Sequence, residues 1–189
     1  MSPSSSTVLD LGVRVPDFQL PDTEGNIISG DDFNRYTGLL VIFMCNHCPY
    51  VKHIARPLAA FARRNEPRGL ATVGINANDA DTYPADSLEN MIKEVQRVGY
   101  GFPYLHDETQ AAAKAFGAKC TPEFFLFDKS RQLVYHGQFD DSRPGNNVEV
   151  TGKDLQAAVD SLMDGRDIVG EQRLSVGCSI KWKTGNAPY

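Results

Sequence analysis

The chain has 189 residues and a mass of 20.8 kDa, the size of one domain. Apolar residues make up 41% and charged residues 23%, which excludes a disordered chain, and a net charge of −5 leaves no basic surplus for nucleic acid. Four cysteines (Cys45, Cys48, Cys120 and Cys178) are too few for a secreted disulfide scaffold.

Residues 1–7 are Ser-rich and lack a basic segment followed by an apolar one, so they read as a short disordered arm rather than a signal peptide. Two short strands, 18–20 and 26–29, flank the Pro-Asp-Gly turn at 21–25 and predict a hairpin. The run 39–44 (LLVIFM) is continuously apolar, the signature of a strand covered on both faces. Pro49 then opens a helix to about residue 65, with Val51, Ile54, Leu58 and Phe61 on one face and Pro57 as an interior kink. Residues 70–76 (LATVGIN) form a second buried strand. Asp86 or Ser87 caps the next helix, whose apolar face carries Leu88, Met91, Ile92 and Val95. A strand at 104–105 and a helix at 108–116, closed by Gly117, follow. A hairpin of 124–127 and 132–135, a polar loop at 140–147 and a last helix at 154–163 complete the pattern. Residues 166–189 have no clear periodicity. The expected fold is α/β, with a parallel βαβ unit and later antiparallel strands sharing one mixed central sheet flanked by helices.

The longest apolar run, 39–45, is seven residues and cannot span a bilayer, so no membrane partner is expected. The default compartment is the reducing cytoplasm, where paired cysteines serve catalysis or metal binding rather than structure.

The strongest chemical signal is Cys45-Asn46-His47-Cys48-Pro49, placed where a buried strand ends and a helix begins. This spacing at a helix start lets two sulfurs come within bonding distance. Orphan N–H groups and the helix dipole stabilise a thiolate there, and only the thiolate attacks a disulfide. Cys45 is the expected nucleophile, and Cys48, one turn in, the resolving thiol. A zinc site needs about four ligands, and no second cysteine pair supplies them. His47, between the cysteines, would favour thiolate when protonated. His53 reads as a helix residue, Lys52 as solvated, and His106 and His136 show no partner. Cys120-Thr121-Pro122 leads into a strand, a position where proline is tolerated.

A strand ending in CxxCP, a kinked helix and a later Thr-Pro before a hairpin together resemble the thioredoxin fold. The segment Val15-Pro16-Asp17-Phe18 with its hairpin, and the insertion between the first two core strands, resemble the peroxiredoxin-like branch that includes alkyl hydroperoxide reductase and thiol-specific antioxidant proteins. The motif CNHCPYVK and the tail VGCSIKWK resemble a subgroup of redoxin-domain proteins. The resemblance implies a three-layer thioredoxin-like domain over residues 8–165, with an N-terminal β-hairpin and a C-terminal extension, 166–189, packed on it. It also implies a cis Pro122 facing the cysteine loop, with Thr121 backbone groups pairing to substrate and Asn46, His47 and Pro49 completing the active-site support.

The chain departs from both family patterns. With Cys48 in the peroxidatic slot of P-x-x-x-T-x-x-C, the threonine position holds Cys45 and the proline position Val41, and the stretch after Thr121 carries no arginine. The position of thioredoxin's buried aspartate holds Leu39, which leaves Glu123 or His47 to handle the proton. Cys120 and Cys178 are candidates for additional redox thiols that relay the disulfide outward; each also fits a small buried hydrophobe.

The function read from these residues is thiol–disulfide exchange. Its partners would be protein or small-molecule disulfides and a thiol reductant system, with no cofactor and no metal. A thiol peroxidase acting on hydroperoxides is the alternative within the enzyme class. A copper- or zinc-binding protein that adds His136 to the cysteine pair is the alternative outside it.

Overall fold

The computed structural model describes residues 3–5 and 10–188. In chain order the strands are β1 (Pro3–Ser5), β2 (Gln19–Pro21), β3 (Ile27–Ser29), β4 (Gly38–Phe43), β5 (Leu70–Asn76), β6 (Tyr104–His106), β7 (Cys120–Thr121), β8 (Glu123–Phe127), β9 (Leu133–Gly137) and β10 (Val176–Ser179). The helices are α1 (Pro49–Asn65), α2 (Leu88–Val98), α3 (Ala111–Ala115) and α4 (Lys153–Met163).

The central sheet has the order β6-β5-β4-β8-β9. β4, β5 and β6 run parallel, while β8 and β9 are antiparallel additions. β4 lies in the middle, and all six of its residues are buried. Because side chains alternate across a strand, Leu40 and Ile42 enter one core and Leu39, Val41 and Phe43 the other. The first core joins α1, α2 and α4 through Leu58, Phe61, Met91 and Leu155. The second packs Phe116, Phe125 and Phe127 with Ala112 and Ala113 of α3. The unbroken apolar sequence of β4 therefore reflects burial on both sheet faces. This layered arrangement is the thioredoxin-like fold expected from the sequence.

α1 spans Pro49–Asn65, the bounds expected, with Pro57 in its interior. Several other local expectations shift. Ser87, not Asp86, caps α2, its hydroxyl accepting from Asn90 N. Of the apolar face expected on α2, Met91 is buried, whereas Leu88 and Ile92 are exposed. α3 is shorter than expected, because Gln110 takes a left-handed conformation (φ 64°) and delays its start to Ala111. The arm expected to be disordered contributes β1 over Pro3–Ser5; Met1, Ser2, Ser6 and Thr7 lie outside the described residues. β1 pairs with β10 of the C-terminal extension, which pairs in turn with β7, forming a second, three-stranded sheet. Further along, Ile180 is buried and Trp182 partly buried in the second core.

Candidate functional site

Cys45 follows β4 by two residues, and Cys48 is the N-cap of α1, with Pro49 in the first helical position where its missing N–H costs nothing. Both cysteines are buried, Cys45 at 1% exposure and Cys48 at 0%. The Thr121–Pro122 peptide is cis and stands against them. Cys45 Sγ lies 3.4 Å from Thr121 Oγ1, and Cys48 Sγ 3.1 Å from Thr121 O. Five of the expected site residues, Cys45, Cys48, Pro49, Thr121 and Pro122, thus meet at one junction.

Thr121 was expected to offer its backbone to substrate. Instead it pairs with the chain's own tail: Cys178 stands opposite Thr121 in the β10–β7 ladder, and Ser179 opposite Cys120.

The thiol acidities run opposite to the sequence-based roles of Cys45 and Cys48. Cys45 is pushed well above the ordinary thiol range by its hydrogen bond to Cys48, by burial and by the charge of Asp86. Cys48 is lowered to about 5. The Cys45 thiol contributes most to this, against the opposing effect of burial; the Cys178 thiol and the backbone N–H groups of Val51 and Cys178 add to it. The Thr121 carbonyl, to which a protonated Cys48 donates, opposes ionisation. Donors from Cys45, Cys178 and the first turn of α1 outweigh that single acceptor, so the surroundings favour the thiolate on Cys48 over Cys45.

His47 and Asn46 are held by a residue that sequence reasoning treated only as a helix cap. Asp86, fully buried, accepts from Asn46 N at 2.7 Å and from Asn78 Nδ2 at 2.8 Å. Its carboxylate also lies 2.5 Å from His47 Nδ1. His47 stacks on Tyr83 with ring centroids 5.5 Å apart, and its buried Nε2 has no hydrogen-bond partner among the described residues. The Cys45 sulfur, a ring nitrogen of His47 and a carboxylate oxygen of Asp86 lie within 4.8 Å of one another. Tyr104, also unanticipated, donates to Asn46 Oδ1 at 3.0 Å and fixes the side chain between the cysteines. No sequence signal marks Asp86 as part of the site; it lies about forty residues from the motif, on a 3₁₀ turn (Pro84–Asp86) between β5 and α2.

Glu123, one of two proposed proton acceptors, is engaged elsewhere. Its carboxylate accepts from Lys119 N and Cys120 N at 2.7 and 3.0 Å and pairs with His136 Nε2 at 2.8 Å. His136, expected to have no partner, is therefore half of a buried ion-pair geometry and stacks on Phe125. Of the two remaining thiols, Cys120 contacts the carbonyls of Pro122 and Ser175 at 3.9 Å, and burial with the charge of Glu123 holds it protonated, well above the ordinary thiol range. Cys178 instead pairs with Thr121 and shares the buried cluster of Cys45 and Cys48. His53 bonds Ser142 Oγ at 2.5 Å, away from the thiols. Lys52 lines an open groove with Asn46, His47 and Lys93.

A sequence profile of the AhpC/TSA family matches residues 11–136. No curated protein matches the chain. Among solved structures, a hypothetical protein of Sinorhizobium meliloti is 51% identical, with a TM-score of 0.95 over 96% of this chain and 99% of that one. An uncharacterized conserved protein of Geobacillus kaustophilus is 46% identical, with a TM-score of 0.95 over 97% of each chain. A thiol:disulfide interchange protein of the thioredoxin family from Chlorobium tepidum is 16% identical, with a TM-score of 0.64 over 82% of this chain and 99% of that one; this likeness shows the shared fold.

Proposed function

The chain belongs to the AhpC/TSA family, and from that premise we propose that it is a thiol–disulfide oxidoreductase whose reaction centre is Cys45 and Cys48. The observation that carries this reading is the placement of both sulfurs at the start of α1 against the cis Thr121–Pro122 segment, Cys45 Sγ 3.4 Å from Thr121 Oγ1 and Cys48 Sγ 3.1 Å from Thr121 O. Cys48 thiolate attacks one sulfur of a substrate disulfide and expels the other as a thiolate, which takes up a proton. Cys45 then attacks Cys48 Sγ. The Cys45–Cys48 bond forms, the mixed disulfide breaks, and the reduced substrate leaves. The thiol proton of Cys45 passes to the His47–Asp86 pair beside it, an arrangement supported by the 4.8 Å cluster. A low-molecular-weight thiol or a dithiol protein returns the centre to its reduced form. In a reducing cytoplasm this cycle runs as a disulfide reductase.

Reduction of insulin by the protein with dithiothreitol tests the reading. Wild type should accelerate it, and Cys48→Ser should lose the acceleration. Wild-type rates in the Cys45→Ser/Cys48→Ser double variant would sink the assignment.

Family membership also favours a second reading, a thiol peroxidase. It predicts rapid thiol loss when the reduced protein meets stoichiometric hydrogen peroxide in stopped flow. A rate no faster than that of free cysteine ends it.

A further inference from the structure

The tail strand β10 reaches the reaction centre through Thr121, whose hydroxyl touches Cys45 and whose carbonyl touches Cys48. Whatever pairs with Thr121 is held beside both sulfurs, and Cys178 is the residue paired with it. The approach is close. A Cβ on Gly177 would fall 2.0 Å from Thr121 O and 3.0 Å from Pro122 N, so only glycine lets the tail lie this near the cis peptide. Cys178 therefore stands opposite the residue whose carbonyl lies 3.1 Å from the Cys48 sulfur. Cys178 is 5% exposed and shares the apolar cluster of Cys45 and Cys48. Cys120, which stands opposite Ser179 in the same ladder, contacts instead the carbonyls of Pro122 and Ser175.

We propose that Cys178 is a redox thiol of this site, which resolves bonds formed at Cys48 in competition with Cys45 by closing a Cys48–Cys178 disulfide. The inference rests on the exchange chemistry proposed above and adds a third sulfur to it. When Cys48 carries a mixed disulfide with a small thiol, Cys178 thiolate attacks Cys48 Sγ. The Cys48–Cys178 bond forms and the mixed disulfide breaks. The small thiol leaves with the electron pair and takes the proton that Cys178 released. Starting from the Cys45–Cys48 disulfide, the same attack expels Cys45, which ends as a thiol, with no net oxidation. Burial and the neighbouring Cys48 charge push the Cys178 thiol up to about 12. The Cys48 contribution disappears once that sulfur is bonded, so the third thiol is least acidic while Cys48 is free and becomes more acidic when it is needed.

The experiment oxidises full-length protein with oxidised glutathione, quenches in acid, alkylates free thiols and maps sulfur pairs by mass spectrometry of non-reduced digests. In Cys45→Ser, the proposal expects an intramolecular Cys48–Cys178 disulfide with no retained glutathione. In Cys45→Ser/Cys178→Ala, it expects glutathione to remain on Cys48. In wild type, Cys48–Cys178 peptides should accompany Cys45–Cys48 peptides, which needs no substitution and so covers the case of a poorly folding variant. Persistent glutathione on Cys48 in the folded Cys45→Ser variant, with Cys178 alkylated, would overturn the proposal while leaving the Cys45–Cys48 chemistry standing. Failure of wild type to form any bond at Cys48 would instead overturn both.

Discussion

Cys48 reads differently as a residue than as half of a motif. Its sulfur sits at a helix N-terminus among donors, and the largest of these effects is the hydrogen bond from Cys45. The alkylation rate of the reduced protein by iodoacetamide should therefore rise through a midpoint near pH 5, far below the ordinary thiol value of about 8.5. Cys45→Ala removes the principal donor and should move that midpoint upward; an unmoved midpoint would show that the helix start alone sets it. The linkage sign follows from a folded value below the unfolded one. Ionised Cys48 stabilises the reduced fold above pH of about 8.5, and this contribution is lost as the pH falls through about 5. Because the disulfide form holds no thiolate, the same charge favours the reduced state and makes the oxidised protein the better oxidant. The motif itself was legible in the sequence, since spacing and a following proline are local features. Which sulfur carries the charge was not, because Asp86, Thr121 and Cys178 act on the pair from about 40 to 130 residues away along the chain.

Among the elements, β4, α1 and β5 were readable almost to the residue. Continuous apolar runs bounded by Gly, Pro and Asn leave little freedom in register. α3 and α2 were less so. The start of α3 depends on the left-handed Gln110, whose side chain donates to Ala77 O and Lys181 O. The exposed Leu88 and Ile92 show that a helical stripe can outrun the core it faces. β10 gave no periodic signal, because four residues stitched between two very short strands need no amphipathic pattern. Its position makes a direct prediction. Gly177→Ala should lift β10 from Thr121, seen as faster hydrogen–deuterium exchange over residues 176–179 and faster alkylation of Cys48. Unchanged exchange there would mean that the strand absorbs the added methyl group without moving.

For the molecule as a whole, the C-terminal extension is a structural part of both the core and the site. Ile180 and Trp182 complete the second core. Lys181 N donates to Asn78 Oδ1 at 2.8 Å, and the same Asn78 side chain donates to Asp86, so tail docking is relayed to the residue that holds His47. A chain ending at Leu174 should therefore melt at a lower temperature than the full chain and alkylate faster at Cys45 and Cys48. A truncated protein that matches the full chain in both calorimetry and alkylation would contradict the relay.

Composition, apolar runs and the Cys45–Cys48 spacing were enough to determine an α/β chain with a sulfur pair at a strand–helix junction, because each depends on residues near one another in sequence. Only the tertiary structure decided that Asp86 backs His47, that Glu123 is tied to His136, and that Cys178 pairs with Thr121 beside Cys48. Each of those pairings is made by sheet order and chain crossing, which bring distant residues together without leaving a mark on local sequence.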